Sequence, residues 1–188
     1  MAVLPIHITG DPVLHNRAQE VTKFDDDLRR LVADMFDTMD LAPGVGLAAP
    51  QVGVALRVFV YDYPAEDGAL RRGAVINPEL ELAELLPGAP DEDHESEGCL
   101  SVPGERFPLR RYHRAILTGL DLNQNPLKIE ATGWFARIFQ HEFDHLNGTL
   151  YTDRLAEPWK TMATSAVAEN GWGEPGHTWL PGIDNLED

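Results

Sequence analysis

The plainest chemical signal in the chain is His141-Glu142-Phe143-Asp144-His145, the pattern H-E-x-x-H. Residues four apart on a helix lie on one face, so both imidazoles can bind one metal ion there. Glu142 sits one step round from His141. It can reach a water at the metal without ligating the metal, as a general base must. Two imidazoles leave such a centre short, because a catalytic site takes three protein ligands and keeps one position open. The candidates for the third are the other five histidines, the carboxylates and the one cysteine, Cys99. Metalloproteases with this motif take their third ligand from downstream. Asp153, Glu157, Glu169 and His177 follow it here, and none stands in a recognisable third-ligand pattern.

Two further segments carry unusual residues. Cys99 lies in Glu97-Gly98-Cys99-Leu100-Ser101-Val102-Pro103, although a lone cysteine is as a rule a small buried hydrophobe. Gly44-x-Gly46-x-x-Ala49 imitates a dinucleotide fingerprint. That fingerprint follows a strand and opens a helix, whereas this one follows a helix and leads into Pro50 and a strand.

The elements that must position these residues follow from hydrophobic period. Leu28, Leu31, Val32, Met35, Phe36 and Met39 predict a helix over 26–41, capped by Asp25 or Asp26 and stopped by Pro43-Gly44. Phe135, Ile138, Phe139 and Phe143 predict a second over 132–146, with Gly148 as its stop. A weaker third helix is expected over 156–169. Strands are expected at 57–62, 74–76, 80–85 and 116–122, with an acidic loop from Pro87 to Glu97. Residues 1–24 read as extended chain and turns. The tail, 171–188, is acidic and rich in Gly and Pro, and reads as lacking regular structure, with Trp172 and Trp179 docked on the body. The pattern as a whole predicts an α+β fold: mixed or antiparallel sheets around a central metal-binding helix carrying H-E-x-x-H.

Composition narrows the function further. The 188 residues suit one domain over 1–188 that buries a core without disulfides. One cysteine and no secretory signal point to a thiol-reducing, cytoplasmic setting. A net charge of −16 argues against direct nucleic-acid binding, and no apolar run is long enough for a membrane. From Glu169 onward there is no Lys or Arg, so the tail should be repelled by ribosomal RNA. Short substrates should then be turned over without it.

Three segments together resemble the peptide deformylase family: Gly44-Val-Gly-Leu-Ala-Ala-Pro-Gln-Val-Gly53, Glu97-Gly-Cys-Leu-Ser101 and Gln140-His-Glu-Phe-Asp-His145. They stand in the family's order, and the resemblance runs from Gly10-Asp-Pro-Val-Leu14 to about Leu155. It implies hydrolysis of the formyl group from N-formylmethionyl peptides and nascent chains, releasing formate. It implies Cys99, His141 and His145 as ligands of one divalent ion, Fe²⁺ as the family's usual metal, with Zn²⁺, Ni²⁺ and Co²⁺ also compatible. It implies Glu142 as general base and acid, and the Gln51 amide and Leu100 N–H as donors to the oxyanion. Gly46, Glu97, Arg106 and Arg137 fall to the substrate-binding region. Gly46 offers backbone bonds, Arg106 faces the peptide's C-terminal side, and the Arg137 stem lines the methionine pocket. The Glu97–Arg111 positions match an ion pair that steadies the Cys99 segment. Asp144 reads equally as an acceptor behind the ligands or a polar helix residue. His7, His15, His94, His113 and His177 read as surface or packing residues. Transient ribosome contact is compatible with the resemblance, but no basic C-terminal helix is present for it. Two other functions fit H-E-x-x-H alone: a metal-dependent peptidase, or an interaction module with a closed structural metal site, which needs a fourth protein ligand.

Overall fold

In chain order the computed structural model contains β1 (Ile6–His7), α1 (Asp26–Leu41), β2 (Gly46–Ala48), β3 (Val58–Pro64), β4 (Leu70–Leu85), β5 (Ser96–Cys99), β6 (Val102–Pro108), β7 (Tyr112–Leu120), β8 (Pro126–Thr132), α2 (Gly133–Leu146), α3 (Trp159–Glu169) and β9 (Thr178–Trp179). The structure describes residues 2–64, 70–184 and 186, so residues 185, 187 and 188 of the acidic tail lie outside it. Strands β2-β3-β4-β7-β8 form one sheet in that order, β5-β6 a hairpin and β1-β9 a two-residue ribbon. Every one of these pairings is antiparallel. The α+β expectation holds, with antiparallel pairing throughout the named strands.

Alternation along β3 shows how the large sheet is covered. Val58 and Val60 join the cluster built by Val32, Met35 and Met39 of α1. Phe59 and Tyr61 point the other way, into the cluster with Phe135 and Phe139 of α2. The period of two thus hands one face of the sheet to each helix. The rings of Phe135 and Phe139 stand 4.4 Å apart, and Phe139 lies 6.0 Å from Phe59. The opposite side of α2 turns toward the β5-β6 hairpin. A third cluster, with Leu14, Phe107, Tyr151 and Ala163, joins that hairpin to α3.

Local chemistry sets the ends of the site-bearing elements. The Asp25 carboxylate accepts from Leu28 N–H at 3.1 Å and caps α1. At the other end of α2, the buried Arg57 guanidinium donates to Leu146 O at 3.0 Å and to Asn147 Oδ1 at 3.1 Å. A cation there answers the helix dipole and the unpaired carbonyls, and it ties α2 to the sheet.

Several expectations are corrected. The strands expected at 74–76 and 80–85 are one strand, β4, whose register shifts between Ile76 and Glu79. Asn77 has φ 51° and Pro78 has no N–H for the ladder, so the strand bulges instead of ending. The Asn77 amide locks the bulge by exchanging two hydrogen bonds with the Val21 backbone, at 2.8 and 2.9 Å. The strand expected at 116–122 runs from Tyr112 to Leu120. It pairs with β8, which the sequence pattern did not suggest although Leu127, Ile129 and Ala131 alternate. The acidic loop gives way to β5 at Ser96. The tail is not without regular structure: Thr178 and Trp179 pair with His7 and Ile6. The expected docking of the two tryptophans holds: Trp179 is in the core at 3% exposure, and Trp172 packs against two of the apolar clusters.

Candidate active site

α2 and β5 bring three donor atoms together. Cys99 Sγ lies 3.3 Å from His145 Nε2, which lies 3.1 Å from His141 Nε2. Tetrahedral ligands at bond lengths of ~2.0–2.3 Å stand about 3.3–3.8 Å apart, so these separations are near those of a shared ion. One soft sulfur and two imidazole nitrogens suit a divalent transition metal. Burial and the neighbouring His141 hold the pKa of His145 well below its ordinary value. Burial also disfavours charge on His141, but Cys99 and Glu97 outweigh it and hold that pKa well above the usual range. Among the described residues no fourth His, Cys, Asp or Glu joins the trio.

Behind the trio lies a buried ionic network. Glu97 accepts from His141 Nδ1 at 2.6 Å, from Arg111 Nη2 at 2.7 Å and Nε at 3.1 Å, and from Arg137 Nη1 at 2.9 Å. With Nδ1 tied to a carboxylate, Nε2 of His141 is the nitrogen presented to the centre. Burial opposes ionisation of Glu97, yet Arg111 and His141 more than offset it and hold the carboxyl well below the usual range. Arg111 continues to Asp144 at 2.6 Å, and Asp144 accepts twice from Arg154, each at 2.6 Å. Asp144 is thus an acceptor in this network and not merely a polar helix residue. Arg137 also donates to Leu109 O at 2.7 Å and to Glu95 at 3.3 Å, and its guanidinium lies over the Trp134 ring. The end of the acidic loop is therefore bound to the body through Glu95.

In front of the trio is a cleft of about 210 Å³, with Val45, Leu100, Trp134 and Ile138 among its apolar lining. Glu142 is buried there with Oε2 lacking any hydrogen-bond partner. Desolvation pushes its pKa up to about 7. Its carboxylate rests on Gly46, where a Cβ would come within 2.3 Å of Oε1. Gln51 is oriented by Ala48 N–H, which donates to its Oε1 at 2.8 Å. Its Nε2 faces Ser101 Oγ at 3.4 Å and Cys99 Sγ at 3.8 Å. Ser101 N–H also donates to Cys99 Sγ, at 3.4 Å. Arg106 is exposed on β6, its stem against Gly98.

A family model described as polypeptide deformylase matches residues 3–161. The chain belongs to the peptide deformylase family. It is 54% identical over 189 residues to the peptide deformylase of Mycolicibacterium paratuberculosis, covering 97% of this chain and 96% of that protein. It is 50% identical over 185 residues to peptide deformylase 2 of Corynebacterium efficiens, covering 98% and 96%. A crystal structure of peptide deformylase from Ehrlichia chaffeensis in complex with actinonin superposes with a TM-score of 0.79 at 38% identity, covering 90% of this chain and 98% of that one. As a deformylase, this enzyme hydrolyses the N-formyl amide of newly made peptides.

Within this deformylase fold, all ten residues expected at the site gather around one cleft. Gly46, Gln51, Glu97, Cys99, Leu100, Arg106, Arg137, His141 and Glu142 line it, and His145 stands behind in contact with Cys99 and His141. The geometry separates them into layers the sequence does not distinguish, since the Glu97 and Arg137 head groups are engaged with each other and with the protein. Ser101, Glu95 and Arg154 are neighbours that the sequence reading did not single out for the site. Ser101 stood within a quoted motif, but the other two had no local signal. Among the described residues, no helix is long and apolar enough to cross a membrane.

Proposed function

We propose that Cys99, His141 and His145 hold one divalent ion, Fe²⁺ by family habit, and that Glu142 moves the proton in formyl hydrolysis. The observation that carries this is the convergence of Sγ and two Nε2 atoms beside the unpartnered Glu142 carboxylate. When bound, such an ion supplies Lewis acidity that makes water deprotonation accessible near neutrality. Glu142, with its pKa near 7, takes that proton and returns it to the departing amine. The Gln51 amide and the Leu100 N–H stabilise negative charge developing on the formyl oxygen, and loss of one such donor costs ~3 kcal/mol of barrier.

Substrate placement follows from the sheet. β2 is an edge strand, so Gly46 can offer its backbone to an extended N-formylmethionyl peptide as an added strand. The methionine side chain fits the wall made by Val45, Trp134, Ile138 and the Arg137 stem. Arg106 flanks the downstream part of the peptide. Glu97 acts from behind instead of touching substrate: its carboxylate is occupied by Arg111, Arg137 and His141. The enzyme works as one domain over 1–188 in the cytoplasm, on nascent chains. Any ribosome contact is transient and does not run through the acidic tail.

The test is Glu142→Gln. The expected result is full metal content with turnover lowered by about 10²-fold or more. A folded variant that has lost its metal would contradict the assignment of Glu142 as base.

A further inference from the structure

The turn that follows Cys99 is held from behind by both ends of the chain. Leu100 and Ser101 join β5 to β6, and their carbonyls are taken by segments outside the hairpin. Trp179 donates its indole Nε1–H to Leu100 O at 2.8 Å, and Thr9 N–H donates to Ser101 O at 2.8 Å. Trp179 reaches Leu100 because β9 pairs with β1. The same knot is closed by Ile8 N–H to His177 O at 2.9 Å and Gly173 N–H to Thr9 O at 3.1 Å. A Cβ on Gly10 would meet the Gly173 carbonyl carbon at 2.3 Å, so the two segments touch main chain to main chain.

A trans peptide is planar, with its C=O and N–H directed to opposite sides. The peptide whose oxygen Trp179 holds is the one that bears Ser101 N–H. That N–H donates to Cys99 Sγ at 3.4 Å. Fixing the oxygen therefore fixes the proton that faces the sulfur. The adjoining peptide carries Leu100 N–H, and the two planes meet at the Leu100 Cα. A phenylalanine could fill the same site in the apolar cluster that Trp179 shares with its strand partner Ile6. Only the indole N–H reaches the carbonyl, and a buried indole needs such a partner.

We infer that Trp179 is a positioning residue for the reaction: its indole N–H sets the 100–101 peptide plane and so aims Ser101 N–H at Cys99 and Leu100 N–H at the cleft. The inference rests on the proposed roles of Cys99 as ligand and Leu100 as oxyanion donor.

The test compares three full-length chains loaded with Co²⁺. These are wild type, Trp179→Phe, and a chain with benzothienylalanine at 179, a near-isostere in which sulfur replaces the indole N–H. Formate release from a formyl-Met peptide, the thiolate-to-cobalt absorption band and cobalt loss to a chelator are read on each. Both variants are expected to keep one cobalt per chain and an unchanged KM. Their kcat should fall about tenfold, less than the ~10²-fold that outright loss of an oxyanion donor costs. Their absorption band should shift, and cobalt should leave faster. If Trp179→Phe fails to fold, the near-isosteric chain decides alone. A folded variant with unchanged kcat, band and cobalt release overturns the inference and leaves Trp179 as core packing. A wild-type chain without the band or without formate release fails differently: it refutes the Cys99 or deformylase reading, and the inference falls with it.

Discussion

Gly46 shows how little room the proton carrier has. A Cβ there would stand 2.3 Å from Glu142 Oε1 and 2.8 Å from Cδ. The carboxylate is the movable end of that contact, so Gly46→Ala should displace Glu142 more than it unfolds the protein. We expect turnover to drop at least tenfold while metal content and the unfolding midpoint stay near wild type, measured by formate release, metal analysis and thermal melting. A variant with full activity would place Glu142 elsewhere during the reaction. At this scale the sequence was most legible where contacts are local. Four-residue spacing on one helix announced His141, Glu142 and His145 without any tertiary knowledge. The Glu97–His141 bond spans 44 residues, and only the fold shows that Glu97 serves the ligand from behind.

At the scale of elements, α2 carries the chemistry and the sheet carries α2. Phe139 is fully buried between Phe59, Tyr61 and Phe135, on the opposite side of α2 from the imidazoles. Phe139→Ala should cost about 3–5 kcal/mol, the usual range for emptying a large aromatic site. Chemical denaturation would measure it, and a loss under 1 kcal/mol would mean that α2 is anchored by other contacts, such as Arg57 at its C-terminus. Helix α1 was legible over its whole span, and the structure decides between Asp25 and Asp26 by making Asp25 the cap. The β4 bulge was not, since Asn77-Pro78 reads locally as a turn between strands. What keeps the strand continuous is distant: the Val21 backbone clasping Asn77. The β5-β6 hairpin was hidden for a similar reason. Its Gly- and Pro-containing sequence lacks a strand's alternation, and its partners lie in the 150–155 segment and α3.

At the scale of the whole molecule, the two ends of the chain close behind the site. The tail's composition suggested that short substrates are turned over without it, and its tryptophans read as docked on the body; that Trp179 reaches the Leu100 carbonyl is visible only in the fold. Deleting residues 171–188 removes the β1-β9 pairing, the indole bond to Leu100 and a buried tryptophan. We expect the truncated chain to lose about 3–5 kcal/mol of stability by denaturant titration. Turnover should fall with it, contrary to what the composition implied. Unaltered stability would mean that Trp179 contributes little to the core. The central claim, a metal-dependent deformylase built on Cys99, His141 and His145, is tested most directly by formate release from a formyl-Met peptide. The measurement is made on the enzyme as purified, after chelation, and after return of Fe²⁺ or Co²⁺ under argon. The account predicts formate release that chelation abolishes and the returned ion restores. Formate release that survives complete removal of the metal would contradict it.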